Sequence, residues 1–141
     1  MYFDTAYIAK FYLNEPSSVR VREVVRKADT IYSSLWALPE FHSVLHRHVR
    51  EGILSLKQAR DLSARFDSHV ADGLWVLLPV TESLLRLTAQ QIQSAPANLF
   101  LRTADAVHLI TAVEAGETEV WTSGRHMLAA ATHFGLNGRS V

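Results

Sequence analysis

The sequence contains no cysteine, which excludes disulfide bridges, thiolate zinc sites and cysteine nucleophiles. It has no apolar stretch approaching the about 20 residues that a membrane-spanning helix needs. The chain does not open with a basic segment followed by an apolar run, so we expect no signal peptide, a cytoplasmic location and no membrane partner. Neither sign of charge dominates, since 14 basic and 14 acidic side chains cancel. Overall charge therefore neither indicates nor excludes a polyanionic partner, and any electrostatic argument has to be local.

The composition is that of a globular protein with an ordinary core. Of the 141 residues, 48% are hydrophobic and 20% are charged, which is long and apolar enough to bury a full hydrophobic core. No repeat, low-complexity tract or linker interrupts the chain. We therefore expect residues 1–141 to form a single domain.

Short apolar runs alternate with longer amphipathic segments along the chain. This alternation predicts an α/β fold with a mainly parallel sheet. Strands are expected at "MYF" (1–3), "TIYSS" (30–34), "WVLLPV" (75–80) and "EVWTS" (119–123), with a further one at "RSV" (139–141). Helices are expected over 5–15, from Ser17 or Ser18 to 28, 34–51, from a capping box at Ser55–Gln58 to 72, from a Thr81 cap to 93, 103–115 and 125–134.

The segment "LRTADAVHLITA" (101–112) places one carboxylate, Asp105, among apolar residues. A structural explanation is available. If Thr103 caps this helix, Asp105 lies in its first turn, where the helix dipole favours a negative charge by roughly 0.3–1 kcal/mol. The alternative is that Asp105 belongs to a functional site.

Other acids and hydroxyls fall where ligands bind in parallel sheets, beyond the carboxyl ends of the strands. Asp4 directly follows the first strand, and Thr122 and Ser123 follow "EVW". Glu40 is expected about two turns into its helix, beside the apolar stripe, where it could equally be a half-exposed surface residue. Asp105, at a helix start, could face the same crevice.

Convergence of Asp4, Glu40 and Asp105 would be costly without a counter-charge. Two unit charges 5 Å apart repel by about 3 kcal/mol at an effective dielectric of 20. Such a cluster needs shared protons or a bound cation, and an all-oxygen ligand set favours Mg²⁺ or Mn²⁺. These ions suit phosphodiester hydrolysis. Spacing alone does not establish that the three acids converge.

Three blocks, "MYFDTAYIAKFYLNE", "SSLWALPEFHSVLHR" and "LRTADAVHLITA", resemble the main motifs of the PIN-domain ribonucleases, specifically the VapC toxins of bacterial toxin–antitoxin pairs. "WVLLPV" and "MLAAATHFGL" extend the similarity over nearly the whole chain. The resemblance implies a three-layer α/β/α sandwich around a short parallel sheet, a divalent metal site (Mg²⁺ or Mn²⁺) and cleavage of RNA. It also implies a homodimer and a VapB-type antitoxin that occupies the site. Residue by residue, it implies Asp4, Glu40 and Asp105 as the first three metal-binding acids, with the Thr5 hydroxyl beside the first.

The fourth block departs from the family pattern. In "TSGRHML", Gly124 stands where the family has an aspartate. Thr122 and Ser123 remain to hydrogen-bond a metal-bound water or a carboxylate, but neither supplies a charge, and His126 is expected to point elsewhere. Three interpretations stay open: three acids suffice, the protein is an impaired relative that binds without cleaving, or the change was selected because an active toxin harms the cell that expresses it.

RNA binding would need positive charge near the acids. Arg102 and Arg125 flank two site positions, and Lys10 could reach the rim of the crevice, so we expect these three to contact phosphates. Arg47 and Arg50 are further candidates, whereas the run from Arg20 to Lys27 is better explained as a solvated helix face.

The leading hypothesis is therefore an endoribonuclease toxin dependent on Mg²⁺ or Mn²⁺. The rival is a PIN module that binds antitoxin or RNA without cleaving, because Gly124 replaces the fourth acid. A phosphatase using the Asp4–Thr5 pair is disfavoured, because such enzymes generally have a second aspartate two residues later and residue 6 is alanine.

Overall fold

The computed structural model describes all residues from 1 to 141, and its centre is a parallel five-stranded sheet in the order β3-β2-β1-β4-β5. The strands are β1 (Tyr2–Phe3), β2 (Ile31–Ser34), β3 (Trp75–Leu78), β4 (Glu119–Trp121) and β5 (Asn137–Arg139). The predicted α/β class with a parallel sheet is confirmed. The last strand lies at 137–139, where it pairs with β4, rather than at "RSV".

Seven helices surround this sheet. They are α1 (Thr5–Tyr12), α2 (Ser18–Lys27), α3 (Ala37–Arg50), α4 (Leu56–Ala71), α5 (Glu82–Ser94), α6 (Thr103–Glu114) and α7 (Arg125–Ala131), and a short 3₁₀ turn (Thr132–Phe134) follows α7. None of them is long and apolar enough to cross a membrane.

Two hydrophobic cores lie on opposite faces of the sheet, because successive strand residues point to opposite sides. Phe3 of β1 packs in one core with residues of α1 to α4, and Tyr2 packs in the other with residues of α6 and α7. This arrangement is the predicted three-layer sandwich. It also brings α6 against the face of β1 that carries Tyr2.

The start of α3 differs from the prediction. Ser34 does not open the helix, because its backbone still pairs with Leu78 of β3, and the helix begins only at Ala37. The Ser34 hydroxyl instead accepts a hydrogen bond from the backbone N–H of Trp36 at 3.2 Å. Glu40 consequently lies in the first turn of α3, not two turns into it.

Helix caps were predicted with mixed success. The capping box at Ser55–Gln58 and the Thr81 cap of α5 are confirmed. Thr103 is the first residue of α6 rather than its cap, since Arg102 is the capping residue and provides no side-chain bond. Neither candidate serine caps α2 with its side chain. Ser17 adopts a left-handed conformation, and the Ser18 hydroxyl accepts from the Glu15 N–H.

The strand order creates a crevice beside β1. From β1 the chain builds β2 and β3 on one side, whereas β4 and β5 lie on the other. In open parallel sheets ligands bind at such a change of direction, beyond the carboxyl ends of the strands. Asp4 after β1 and Thr122 after β4 both lie at this edge.

Candidate functional site

A polar cleft of about 1000 Å³ opens at this edge of the sheet and brings the three predicted acids together. Asp4, Glu40 and Asp105 all line it, although they are far apart in the sequence. The cleft also contains Thr5 and Gly124, and its remaining polar lining includes His42, His46, Arg47, Arg50, Arg102 and His108. The lining of the site thus combines three carboxylates with cationic side chains.

Asp4 is fixed by the start of α1. Its Oδ1 accepts a hydrogen bond from the Tyr7 N–H at 2.9 Å, so the side chain caps the helix. Its Oδ2 accepts from the Thr122 hydroxyl at 2.5 Å. Burial raises the pKa of Asp4 above its usual value, and these two hydrogen bonds only partly oppose the effect.

Glu40 is held by two donors. His108 donates from Nε2 to Oε2 at 2.8 Å, and the Thr5 hydroxyl donates to the same oxygen. Burial alone would raise the pKa of Glu40, but His108 and Thr5 outweigh it and bring this pKa below its usual value. The site therefore holds Glu40 as an oriented carboxylate.

Asp105 has no cationic partner within salt-bridge distance, and neither has Asp4. Burial raises the pKa of Asp105, with Arg102 nearby acting in the opposite direction. The charge of Glu40 adds to the increase in pKa of both aspartates, so the three carboxylates are within electrostatic reach of one another. Three arginines line the same cleft, but none of them forms an ion pair with Asp4 or Asp105.

His108 is a site residue that the sequence analysis missed. It is 3% exposed, lies one helical turn after Asp105, and its Nδ1 is 2.8 Å from the Tyr2 hydroxyl. Because Nε2 faces the Glu40 carboxylate, that nitrogen carries a proton. Burial strongly raises the pKa of Tyr2, so its hydroxyl stays protonated. The spacing of three residues from Asp105, which places both on one helix face, was the available signal.

No three histidine, aspartate or glutamate side chains lie close enough together to form a ready metal-binding cluster. The donor chemistry nevertheless fits a hard divalent cation, since the acids offer only oxygen ligands and two of them lack a cationic partner. Mg²⁺ usually keeps several waters and uses one or two protein carboxylates. A hydrated ion does not require all three acids as direct ligands.

Gly124 lines the cleft but supplies no side chain. It caps α7 with an ordinary φ of −76°, and its N–H donates to the Thr122 hydroxyl at 2.9 Å. A Cβ at this position would lie 3.3 Å from the Thr122 Oγ1 and 3.6 Å from the Met127 Cβ. A side chain therefore requires a shift of a few tenths of an ångström and no backbone strain.

Only some of the remaining predicted site residues line the cleft. Arg102, Arg47 and Arg50 line the cleft, whereas Lys10, Arg125 and Ser123 do not. Thr122 is fully buried behind Asp4, which makes it a partner of that carboxylate. His126 is not part of the cleft lining, and its ring packs against that of Phe100 with centroids 4.0 Å apart.

Comparisons with known proteins agree with this architecture. No curated protein matches the chain. Among solved structures, the chain is similar to VapC20 of Mycobacterium tuberculosis, described as a sarcin-ricin loop cleaving toxin, with a TM-score of 0.73 and 14% identity over 92% of this chain and 93% of that one. At this identity the match shows a shared fold. The profile of the PIN domain family matches residues 1–132. The chain therefore belongs to the PIN-domain family.

Proposed function

We propose that this protein is a toxin-type endoribonuclease that hydrolyses RNA phosphodiester bonds with the help of Mg²⁺ or Mn²⁺. The observation that carries the proposal is the meeting of Asp4, Glu40 and Asp105 in one cleft, with no cation of the chain paired to either aspartate. Buried like charges persist when a cation binds among them. The PIN-domain match and the VapC fold support the same chemistry.

Asp4, Glu40 and Asp105 would hold the ion together, some of them through its water ligands. When bound, a divalent cation lowers the pKa of a water molecule and offsets the negative charge of a phosphodiester. The chain contributes orientation: the Tyr7 N–H and Thr122 fix Asp4, and His108 and Thr5 fix Glu40. Preorganised ligands of this kind avoid an ordering cost when the ion and substrate bind.

Arg102, Arg47 and Arg50 would bind the RNA backbone, because they line the same cleft as the acids. Phosphate contacts by arginine supply most of the sequence-independent affinity for nucleic acids. Lys10 and Arg125 lie outside this lining, so they would contact only parts of the RNA that extend beyond the cleft.

The proposal extends to partners. A VapB-type antitoxin would occupy the cleft, and the toxin would form a homodimer, as the family resemblance implies. Co-expression with the antitoxin gene expected beside the toxin gene, followed by purification and light scattering, tests both points. Recovery of a monomer free of antitoxin would contradict them.

Cleavage of single-stranded RNA by the wild-type protein and by Asp105→Asn tests the enzyme directly. We expect cleavage by the wild type with Mg²⁺ or Mn²⁺, none with EDTA, and a loss of at least about 100-fold in the variant. Equal cleavage with EDTA, or by the variant, would contradict the proposed site.

A binding-only function has one observation in its favour, the missing carboxylate at Gly124. In that case the wild type would bind RNA or antitoxin in the same cleft, and no metal would elicit cleavage. We favour the enzyme because the other three acids are present and hydrogen bonds orient two of them, Asp4 and Glu40.

A further inference from the structure

An exposed aromatic ring stands beside the cleft without any role in the core. Phe100 lies in the loop between α5 and α6 and is 51% exposed. Its neighbours Leu99 and Leu101 pack against the core of the sheet face that carries Tyr2. The extended segment thus anchors itself through two leucines and presents the phenylalanine between them to solvent.

The ring is held in place by charged and aromatic neighbours. The His126 ring packs against it at a tilt, with ring centroids 4.0 Å apart and an interplanar angle of 32°. The Arg102 guanidinium lies 5.5 Å from the ring centroid. Arg125 donates from Nε to the His126 Nε2 at 3.2 Å. We call Phe100, Arg102, Arg125 and His126 the rim cluster.

The rim cluster is next to the candidate site. Arg102 belongs to both, since it lines the cleft and influences the pKa of Asp105. On the other side, Arg125 and His126 directly follow Gly124, which also lines the cleft. An RNA strand whose phosphate lies at the acids would therefore bring an adjacent nucleotide to this rim.

We propose that the rim cluster is a stacking subsite for an unpaired nucleobase of RNA, with Phe100 and His126 as the platform and Arg102 as the link to the backbone. This inference rests on the proposed function for its substrate class. Proteins bind unpaired RNA bases by stacking them on aromatic rings and guanidinium planes. A preformed stack suits this purpose because little side-chain freedom remains to be lost on binding.

A nucleic acid explains the cluster better than a protein partner does. Phe100 is the one apolar side chain of the rim cluster, whereas protein interfaces are marked by larger contiguous apolar patches. Two arginines stand within the cluster, and they favour a polyanion.

Fluorescence of 2-aminopurine, which falls when the base stacks, provides the test. Single-stranded RNA oligonucleotides labelled at successive positions are titrated with wild-type protein in EDTA, so that binding is read without cleavage. We expect quenching at one or two adjacent positions. Phe100→Ala should remove this quenching and weaken binding about 5- to 150-fold, the range for one base–aromatic stack.

Matched variants separate stacking from other effects. Phe100→Trp should keep the quenching, Phe100→Leu should lose it, and Leu85→Ala, at an exposed position on α5, should leave it unchanged. Quenching that survives in Phe100→Ala or Phe100→Leu, or that is absent at every label position with the wild type, would overturn the proposal. Loss of antitoxin binding in Phe100→Ala with RNA quenching intact would also overturn it, by assigning the ring to a protein contact.

The result of the quenching experiment does not depend on whether the protein cleaves RNA. Quenching that depends on Phe100 without any metal-dependent cleavage would support the stacking subsite and contradict the enzyme. Cleavage without position-specific quenching would support the enzyme and contradict the stacking subsite.

Discussion

Asp4 serves both the fold and the cleft. Its carboxylate caps α1 through the Tyr7 N–H and accepts the Thr122 hydroxyl across the gap between β1 and β4. A variant that removes the whole side chain therefore perturbs folding as well as function. To test the role of the negative charge alone, a variant has to keep the hydrogen bond that caps α1.

Asp4→Asn and Asp4→Ala make this separation. Both should lose RNA cleavage, but the alanine variant should also lose about 0.5–2 kcal/mol of stability with the cap. For a chain of this size each kcal/mol lowers Tm by about 2–4 °C. Thermal unfolding of the two variants in EDTA checks the difference. Equal Tm values for both would mean that the cap contributes nothing.

Asp105 is half-buried and has no partner within salt-bridge distance, although Arg102 lies near it. Because burial raises its pKa above the usual 3.8, the folded protein favours the protonated form. The stability this provides is fully present below the unfolded pKa and is lost as pH rises through the folded pKa. Above the folded pKa the ionised carboxylate lowers the stability of the folded protein, and a bound cation would offset this loss.

Asp105→Asn should therefore raise Tm in EDTA at pH 7 and have little effect near pH 3. The same substitution should reduce or abolish the increase in Tm that Mg²⁺ or Mn²⁺ produces in the wild type. Scanning fluorimetry over pH and metal concentration measures both. A metal-induced increase of the same size in the variant would remove Asp105 from the site.

At the scale of elements, β1 with the start of α1 was the most predictable part of the site. An acid after a short buried strand and before an amphipathic helix indicates a position at the carboxyl edge of the sheet. The position of Glu40 was less predictable, because the end of β2 depends on pairing with β3. Because Ser34 pairs with β3, the helix begins at Ala37 and not at the predicted Ser34. Glu40 therefore lies in the first turn of α3, where it lines the cleft.

Helix α6 contributed a residue that local patterns concealed. His108 lies within the apolar run of this helix, and a single histidine there reads as part of the core. Its role follows from Tyr2 on the neighbouring strand and Glu40 on α3, both distant in sequence. The resemblance to known motifs named the acids, whereas the group that orients one of them required the packed structure.

His108→Leu should destabilise the protein and reduce cleavage, because it leaves the Tyr2 hydroxyl and Glu40 each without a main partner. A buried polar group that loses its hydrogen bond costs about 1–3 kcal/mol. The lowered pKa of Glu40 provides stability above its usual 4.5 that is lost as pH falls through the folded pKa. The difference in Tm between wild type and variant should therefore narrow in acid.

The exposed His133 supplies the control for this experiment. His133→Leu should keep both Tm and activity. If His108→Leu behaved in the same way, the bridge from Tyr2 to Glu40 would have no role.

For the whole molecule, a net charge of zero conceals a local concentration of charged side chains of both signs. Acids lie at the carboxyl edge of the sheet, and arginines of α3 and of the loop before α6 line the same cleft. Composition could not reveal this arrangement, because it depends on which helices the sheet order brings together.

Salt dependence measures how those arginines act. Arg47→Gln and Arg50→Gln should each weaken RNA binding and reduce the slope of log K against log salt by about 0.7, the value for one phosphate contact with a single strand. Arg20→Gln is the matched control, since this exposed residue of α2 does not line the cleft. A slope that changes equally in all three variants would mean that binding is not confined to the cleft.

The three acids of the cleft should suffice for metal-dependent RNA cleavage. We would test this by comparing cleavage by the wild type, Gly124→Asp and Gly124→Asn in Mg²⁺, Mn²⁺ and EDTA. Both substitutions suit the cap position of α7 and differ only in charge. We predict metal-dependent cleavage by the wild type, within about tenfold of Gly124→Asp. Cleavage by Gly124→Asp alone would contradict this expectation. It would mean that the natural chain binds RNA or antitoxin without cleaving RNA.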